Sequence, residues 1–115
     1  MKKFLKSFVY SFKGLHYAFK TQLNFQIECA ATILVIALGC VMKINVEEWL
    51  WVSLAIALVL VLELINTAIE VLVDLVSPEF NPKAGIVKDV ASAAVLVGAL
   101  FSVVIALFIF LPKLI

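Results

Sequence analysis

The chain has 115 residues, of which 65% are hydrophobic and 15% charged, where soluble domains carry about 45–50% and about 25%. With a mean hydropathy of +1.20, this composition excludes an ordinary soluble domain, because a single domain of this length cannot hide so much apolar surface without lipid. Nine basic and eight acidic residues leave a net charge of +1, and the basic residues gather only at the N-terminus, so a nucleic-acid partner is not expected.

Lys2 to Lys20 reads as an amphipathic surface helix. Phe4, Leu5, Phe8, Val9, Phe12, Leu15 and Phe19 fall within an arc of about 140° at 100° per residue, and Lys2, Lys3, Lys6, Lys13 and Lys20 fall opposite. A Phe-rich face against an all-Lys face suits a helix lying in the plane of an anionic membrane surface. The segment has no uninterrupted apolar run and no small-residue cleavage pattern, so no removable signal peptide is expected. His16, the only histidine, sits at the edge of the apolar face and reads as a plain interfacial residue.

Three membrane helices are expected to follow. Residues 25–42 carry one charge, Glu28, and are just long enough to span. Cys29 and Cys40 in this segment are separated by roughly 16 Å along a helix and cannot be bridged. Lys43 to Glu48 reads as a short polar turn. Residues 49–76 open with Trp49 and Trp51, which suit an interfacial aromatic belt. The run stays apolar through Leu62, then meets Glu63, Glu70 and Asp74. At roughly 42 Å this helix exceeds the hydrocarbon thickness of about 30 Å, so its acidic end reaches water. Ser77-Pro78 stops it. Asn81-Pro82 reads as an N-cap followed by proline at the first position of a helix over residues 82–111. Within that helix Ala94, Gly98, Ser102 and Ala106 form a small-residue face suited to close packing in lipid, and Pro112 is expected to end it.

Charge sets the orientation. Five Lys precede the first span and two lie between Ser77 and Asp89, while the turn from Lys43 to Glu48 holds one Lys and two Glu. Positively charged loops stay inside, so the N-terminus is expected on the cytoplasmic side of a multi-pass protein.

Glu63, Asn66, Thr67, Glu70 and Asp74 fall at helix angles of about 0, 300, 40, 340 and 20°, which gathers three carboxylates, an amide and a hydroxyl into one stripe. Ionisable groups inside a span are costly and usually mark a site or pathway. Polar glue between helices is the structural alternative, and for Asp74 a solvated helix end. Glu63 lies about 10 Å deeper than Glu70. Depth suits Glu63 to general-base work, and a carboxylate at the interface suits a hard cation such as Mg²⁺. Lys88 stands in the first turns of the last helix, where backbone amides favour an anion; it reads either as a solvated residue that sets topology or as a phosphate contact beside Asp89. No P-loop, HExxH, paired CxxC or GxSxG motif occurs.

The run Glu63-x-x-Asn66-Thr67-x-x-Glu70-x-x-x-Asp74, followed by Lys88-Asp89-x-Ala91-Ser92 and preceded by Tyr10-Ser11-Phe12-Lys13-Gly14-Leu15, resembles the bacterial membrane diacylglycerol kinase and undecaprenol kinase family, collinearly over nearly the whole chain. The resemblance implies a homotrimer of three-span subunits with shared sites, in the bacterial inner membrane. It also implies transfer of the γ-phosphate of Mg²⁺-bound ATP to the hydroxyl of a neutral membrane lipid. Glu63 matches the catalytic base and Glu70 a metal and nucleotide ligand. Asn66 matches a polar neighbour that orders the site, with Asp74 in support. Tyr10, Glu79, Phe80, Asn81, Lys88 and Asp89 match ATP contacts, and Glu28 and Ser92 match positions on the lipid side. Gln22 departs from the pattern: the family commonly has a second metal-binding Glu there, and an amide supplies an oxygen but no negative charge.

Phosphoryl transfer is mostly positioning and charge neutralisation, so carboxylates, Mg²⁺ and a Lys suffice without a P-loop. A small proton-coupled transporter with Glu63 as its ion site is the alternative from another class. It calls for a midplane site reachable from both sides, whereas Glu70, Asp74, Lys88 and Asp89 are expected at one face. A non-catalytic assembly subunit calls for small residues without a carboxylate stripe.

Overall fold

The computed structural model describes all 115 residues. The chain forms four helices: α1 (Lys2–Thr21), α2 (Leu23–Met42), α3 (Val46–Val76) and α4 (Pro82–Leu114). Three of them, α2, α3 and α4, are long and apolar enough to cross a membrane. Each begins and ends for a local reason. Gln22, in extended backbone, is the single residue between α1 and α2. Lys43 closes α2 in the left-handed region at φ 52°, its N–H donating to the Cys40 carbonyl while the Ile44 N–H reaches back to Gly39. That pair of bonds is a Schellman closure, which satisfies carbonyls that would otherwise be stranded.

The turn before α3 is shorter than expected. Residues 46–48 are already helical, because Asn45 accepts from the Glu48 N–H at 2.8 Å and the Glu48 carboxylate accepts from the Asn45 N–H at 3.0 Å. This reciprocal capping box satisfies two orphan donors at once. The expected start at Trp49 is thereby corrected to Val46. At the other end α3 stops at Val76, before Ser77-Pro78, since a residue preceding proline is pushed out of helical geometry. Asn81 caps α4 by accepting from the Lys83 N–H at 2.9 Å, with Pro82 opening the helix.

Pro112 does not end α4, contrary to expectation; the helix runs through it to Leu114. Proline strands only the carbonyl four residues before it. So near the terminus that loss is confined to one turn, and Ile115 still closes onto Leu111.

The helices make a flat molecule, 52 × 42 × 20 Å, with α3 between α2 and α4. Lipid tails are as apolar as leucine, so α3 and α4 are held by close approach and hydrogen bonding. Gly98 is buried against α3: a Cβ there would meet Leu62 Cδ1 at 2.5 Å. The Ser102 hydroxyl lies 3.1 Å from the Ala55 carbonyl and 2.9 Å from its own Gly98 carbonyl. Ala106, one turn further, packs against Ile44, Val52, Ile109 and Phe110. Ala94 is exposed and Ala91 is buried in its stead, because a strict four-residue spacing drifts off a straight seam in a helix of 3.6 residues per turn. A small core of Ile44, Val52, Ile109 and Phe110, with Lys113 paired to Glu48 at 3.2 Å, closes one end of the α3/α4 pair. Only 13 of 115 residues are buried, so the apolar surface faces outward, as it does in a multi-pass membrane protein. Cys29 and Cys40 are free.

Candidate active site

Successive spans run in opposite directions, so the start of α2, the end of α3 and the start of α4 share one end of the molecule. The short link at Gln22 brings α1 to the same end. There α1 is exposed along almost all its length and buries only Ala18, beside a groove where Leu15 and Ala18 meet Leu64, Ala68 and Val71 of α3.

The acidic stripe of α3 turns inward. Glu63 is 1% exposed, and Asn66 and Thr67 are 5% exposed each. Thr67 donates to the Glu63 carbonyl at 2.8 Å, so its hydroxyl is committed to its own helix. The Asn66 amide donates to Glu70 Oε1 at 3.3 Å, which fixes the half-buried Glu70 carboxylate one turn nearer the helix end. Asp74, two turns beyond Asn66, is paired with Lys88 at 2.6 Å, joining the end of α3 to the start of α4.

Both oxygens of Glu63, Oε2 of Glu28 and Oδ1 of Asn66 are buried with no hydrogen-bond partner. Leaving a buried acceptor unpaired costs about 1–3 kcal/mol, so four of them are not incidental packing. Every one is an acceptor, and what such a cluster takes is an O–H or N–H donor. Glu28 also heads a cavity of about 120 Å³ running between α2, α3 and α4 past Val59, Ala55 and Ala106 to Phe110.

That cavity and Thr32, whose hydroxyl donates to the Glu28 carbonyl at 2.8 Å, were not legible beforehand. Their only signal is that Ala31, Ala55 and Ala106 line it, and small residues leave space only once the facing partners are known.

The other residues singled out from the sequence stand apart within one chain. Tyr10 is 64% exposed on α1, with the Lys13 ammonium 5.9 Å from its ring centre. Phe80 is 94% exposed in the link before α4, and Glu79 accepts only from the Ser77 hydroxyl, through its carbonyl at 3.2 Å. Asn81 is engaged as a cap. Asp89 and Ser92 are exposed on α4. Gln22 is half-buried between α1 and α2, its amide 3.4 Å from the Thr21 hydroxyl. The chain thus unites Glu63, Asn66 and Glu70 on one face of α3 and Asp74 with Lys88 between α3 and α4, while Glu28 faces the cavity between the three spans. No side-chain hydrogen bond links Tyr10, Glu79, Phe80, Asp89 or Ser92 to either group.

No three His, Cys, Asp or Glu side chains converge to hold a metal by themselves. A Mg²⁺ ion does not need them, since it commonly keeps its waters and takes one or two carboxylates together with substrate phosphates. Glu70, accessible and fixed by Asn66, fits that pattern.

Comparison with known proteins agrees with the geometry. Residues 9–110 match the family model for prokaryotic diacylglycerol kinase. The chain is 41% identical over 114 residues to the undecaprenol kinase of Bacillus subtilis, covering 99% of this chain and 93% of that one. It is 30% identical over 102 residues to the diacylglycerol kinase of Escherichia coli K12, covering 89% and 84%. The diacylglycerol kinase of Synechocystis is 38% identical over 96% of this chain and 63% of its own length. A buried carboxylate cluster on three apolar helices, matched over nearly the whole chain by such relatives, identifies this protein as a lipid kinase of the prokaryotic diacylglycerol kinase family.

Proposed function

We propose that the protein transfers the γ-phosphate of Mg²⁺-bound ATP to the hydroxyl of a neutral membrane lipid, diacylglycerol or undecaprenol, at the cytoplasmic face of the bacterial inner membrane. The observation that carries this reading is Glu63, whose two buried oxygens accept from nothing in the chain. A lipid alcohol presents one O–H at the depth of such a group, and a carboxylate within reach of that hydroxyl takes its proton as the oxygen attacks phosphorus. The position of the lysines supports a cytoplasmic setting for this end of the molecule, where ATP is found.

The remaining roles rest on the family resemblance, with position in support. Glu70 would hold the metal at the water side of Glu63, with Asn66 fixing its carboxylate. Bound Mg²⁺ would neutralise charge on the transferring phosphates. Lys88 and Asp89 meet the nucleotide, and Tyr10, Glu79, Phe80 and Asn81 complete its pocket. Ser92 and Glu28 lie on the lipid side. Because one chain leaves these groups in separate places, the site is completed between subunits of a homotrimer, with α1 lying on the membrane surface and its Phe face in lipid. The high identity to an undecaprenol kinase over nearly full length supports undecaprenol as the better acceptor.

The test is transfer of labelled γ-phosphate from ATP by the purified protein in mixed micelles, with diacylglycerol and undecaprenol offered separately and Glu63→Gln as control. Label in a lipid from wild type and none from the variant is the expected result. Label in neither lipid at any Mg²⁺ concentration would sink the reading.

A further inference from the structure

α1 turns a different side to each of three surroundings. Ser11, Gly14 and Ala18 lie along the groove against α3. Phe4, Phe8, Phe12 and Phe19 are exposed on a second side, and Lys2, Lys3, Lys6, Lys13 and Lys20 are exposed on the third. None of these lysines pairs with an acidic side chain; the ion pairs of the chain use Lys88 and Lys113. Lys13 stands over the Tyr10 ring of its own helix. The sequence supplies no acidic partner nearby either, since its first acidic residue is Glu28, in α2. The near-neutral charge of the whole chain thus hides a segment that is basic throughout.

The protein itself holds α1 loosely. A single residue, Gln22, joins it to α2, and Ala18 is its one buried side chain. A Cβ at Gly14, on the side toward α3, would touch nothing within 4 Å. What seats α1 is therefore what its two outward sides meet. The Phe side takes hydrocarbon, which is much the same in any bilayer. Five unpaired ammonium groups on the other side call for negative charge, and at the surface of a leaflet that charge is carried by lipid headgroups. Lysine stems can lie along the apolar side while their ammonium ends reach headgroup phosphates.

We propose that the lysine side of α1 binds anionic headgroups of the leaflet that holds the acceptor, that this contact seats α1 for phosphate transfer, and that the lipid phosphate formed therefore promotes further turnover. This rests on the lipid-kinase reading, under which an uncharged lipid alcohol becomes a phosphomonoester with a charge of about −1.5 to −2 at neutral pH. Each turnover adds, in the same leaflet, one more molecule of the class that α1 binds. The feedback is strongest where the leaflet starts neutral and vanishes where other anionic lipid already covers the lysines.

The experiment places the full-length protein in vesicles of phosphatidylcholine, alone or with about one-third phosphatidylglycerol, and follows phosphate transfer to the acceptor lipid at saturating ATP and fixed free Mg²⁺. The initial rate should be about fivefold or more higher with the anionic lipid, and high salt should shrink the gain. In phosphatidylcholine alone the rate should climb as product accumulates, and lipid phosphate added at the start should abolish that lag. A constant rate from the first turnover overturns the feedback. Lys2→Gln, Lys3→Gln and Lys6→Gln together keep helix propensity and remove three charges at the end of α1 farthest from Gln22. The triple variant should match wild type in neutral vesicles and lose most of the gain in charged ones. An equal gain in wild type and variant, or equal initial rates of wild type in both vesicles, overturns the proposal and leaves the kinase reading standing. Hydrogen exchange of the α1 amides in nanodiscs of the same two compositions needs no turnover. Exchange should be slower with phosphatidylglycerol in wild type and not in the variant; equal exchange in both compositions overturns the lipid contact whatever the activity. A wild type inactive in both vesicles sinks the kinase reading and the feedback with it.

Discussion

Lys88 Nζ lies 2.6 Å from Asp74 Oδ1, so the one lysine at the start of α4 that stands over the acidic stripe is engaged by the last carboxylate of that stripe. A nucleotide phosphate bound by Lys88 must compete with Asp74. Both side chains are largely open to solvent, so the pair is weak and exchange is easy. Asp74→Asn is expected to lower the KM for ATP by about two- to fivefold with little change in unfolding temperature. Lys88→Ala is expected to raise it by about tenfold or more. Steady-state kinetics at fixed lipid checks both, and a raised KM in Asp74→Asn would show instead that Asp74 serves to aim the lysine.

The contact between Gly98 and Leu62 governs how closely α3 and α4 approach. A methyl group at residue 98 would clash with the movable end of Leu62 alone, Leu58 Cγ lying at an ordinary 3.6 Å, so Gly98→Ala should be tolerated with a rotamer change. A larger side chain has no such escape, and Gly98→Leu should destabilise the protein by about 1–3 kcal/mol. Adding Leu62→Ala should recover part of the loss. Thermal unfolding of the single and double variants in one detergent measures the coupling, and additivity would show that the two residues do not share the space.

Most of the fold could be read in advance because the membrane simplifies the problem. A span must satisfy its backbone internally, so long apolar runs, Ser77-Pro78 and Asn81-Pro82 marked helices and their ends without knowledge of packing. The expected turn at Lys43–Glu48 failed because Asn45 and Glu48 are a capping pair, a signal present as Asn-x-x-Glu but read there only as polarity. Pro112 misled for a related reason: proline removes one bond and crowds the turn before it, which bends a helix without ending it, and α4 runs on to Leu114. The stripe from Glu63 to Asp74 followed from helical angle alone; the burial of Glu63, Asn66 and Thr67 agrees with that angle, while Asp74 at its end is exposed. The cavity below Glu28 did not follow, since it depends on Ala31, Ala55 and Ala106 facing one another across three helices. The partner of Lys88 depends in the same way on how the link from Ser77 to Asn81 folds back.

The left-handed residue at the end of α2 predicts a stabilising change remote from the site. Lys43 adopts φ 52°, a conformation that costs a residue with a Cβ about 1–2 kcal/mol and glycine nothing. Its N–H is already used in closing α2, and glycine keeps that bond. Lys43→Gly should therefore raise the unfolding temperature and leave phosphate transfer unchanged, because residue 43 lies at the opposite end of the molecule from Glu63. A lower unfolding temperature would mean that the lysine side chain contributes more than its backbone geometry costs.

Gln22 sits where α1 turns into α2, at the end of the molecule that holds Glu70, with its amide turned to Thr21 and not to any carboxylate. Its place in the link sets it at the same end as the metal proposed at Glu70, yet an amide oxygen would add no charge to that site. Gln22→Glu should therefore lower the Mg²⁺ concentration giving half-maximal activity by about three- to tenfold, an effect of the size expected when one charged oxygen replaces a neutral one. Gln22→Ala should change it little, since the proposed metal site relies on Glu70 and nucleotide phosphates. Titration of activity with Mg²⁺ at fixed ATP distinguishes the cases. No shift in Gln22→Glu would remove residue 22 from the metal site, whereas a loss of Mg²⁺ response in Gln22→Ala would make the amide oxygen a ligand in its own right.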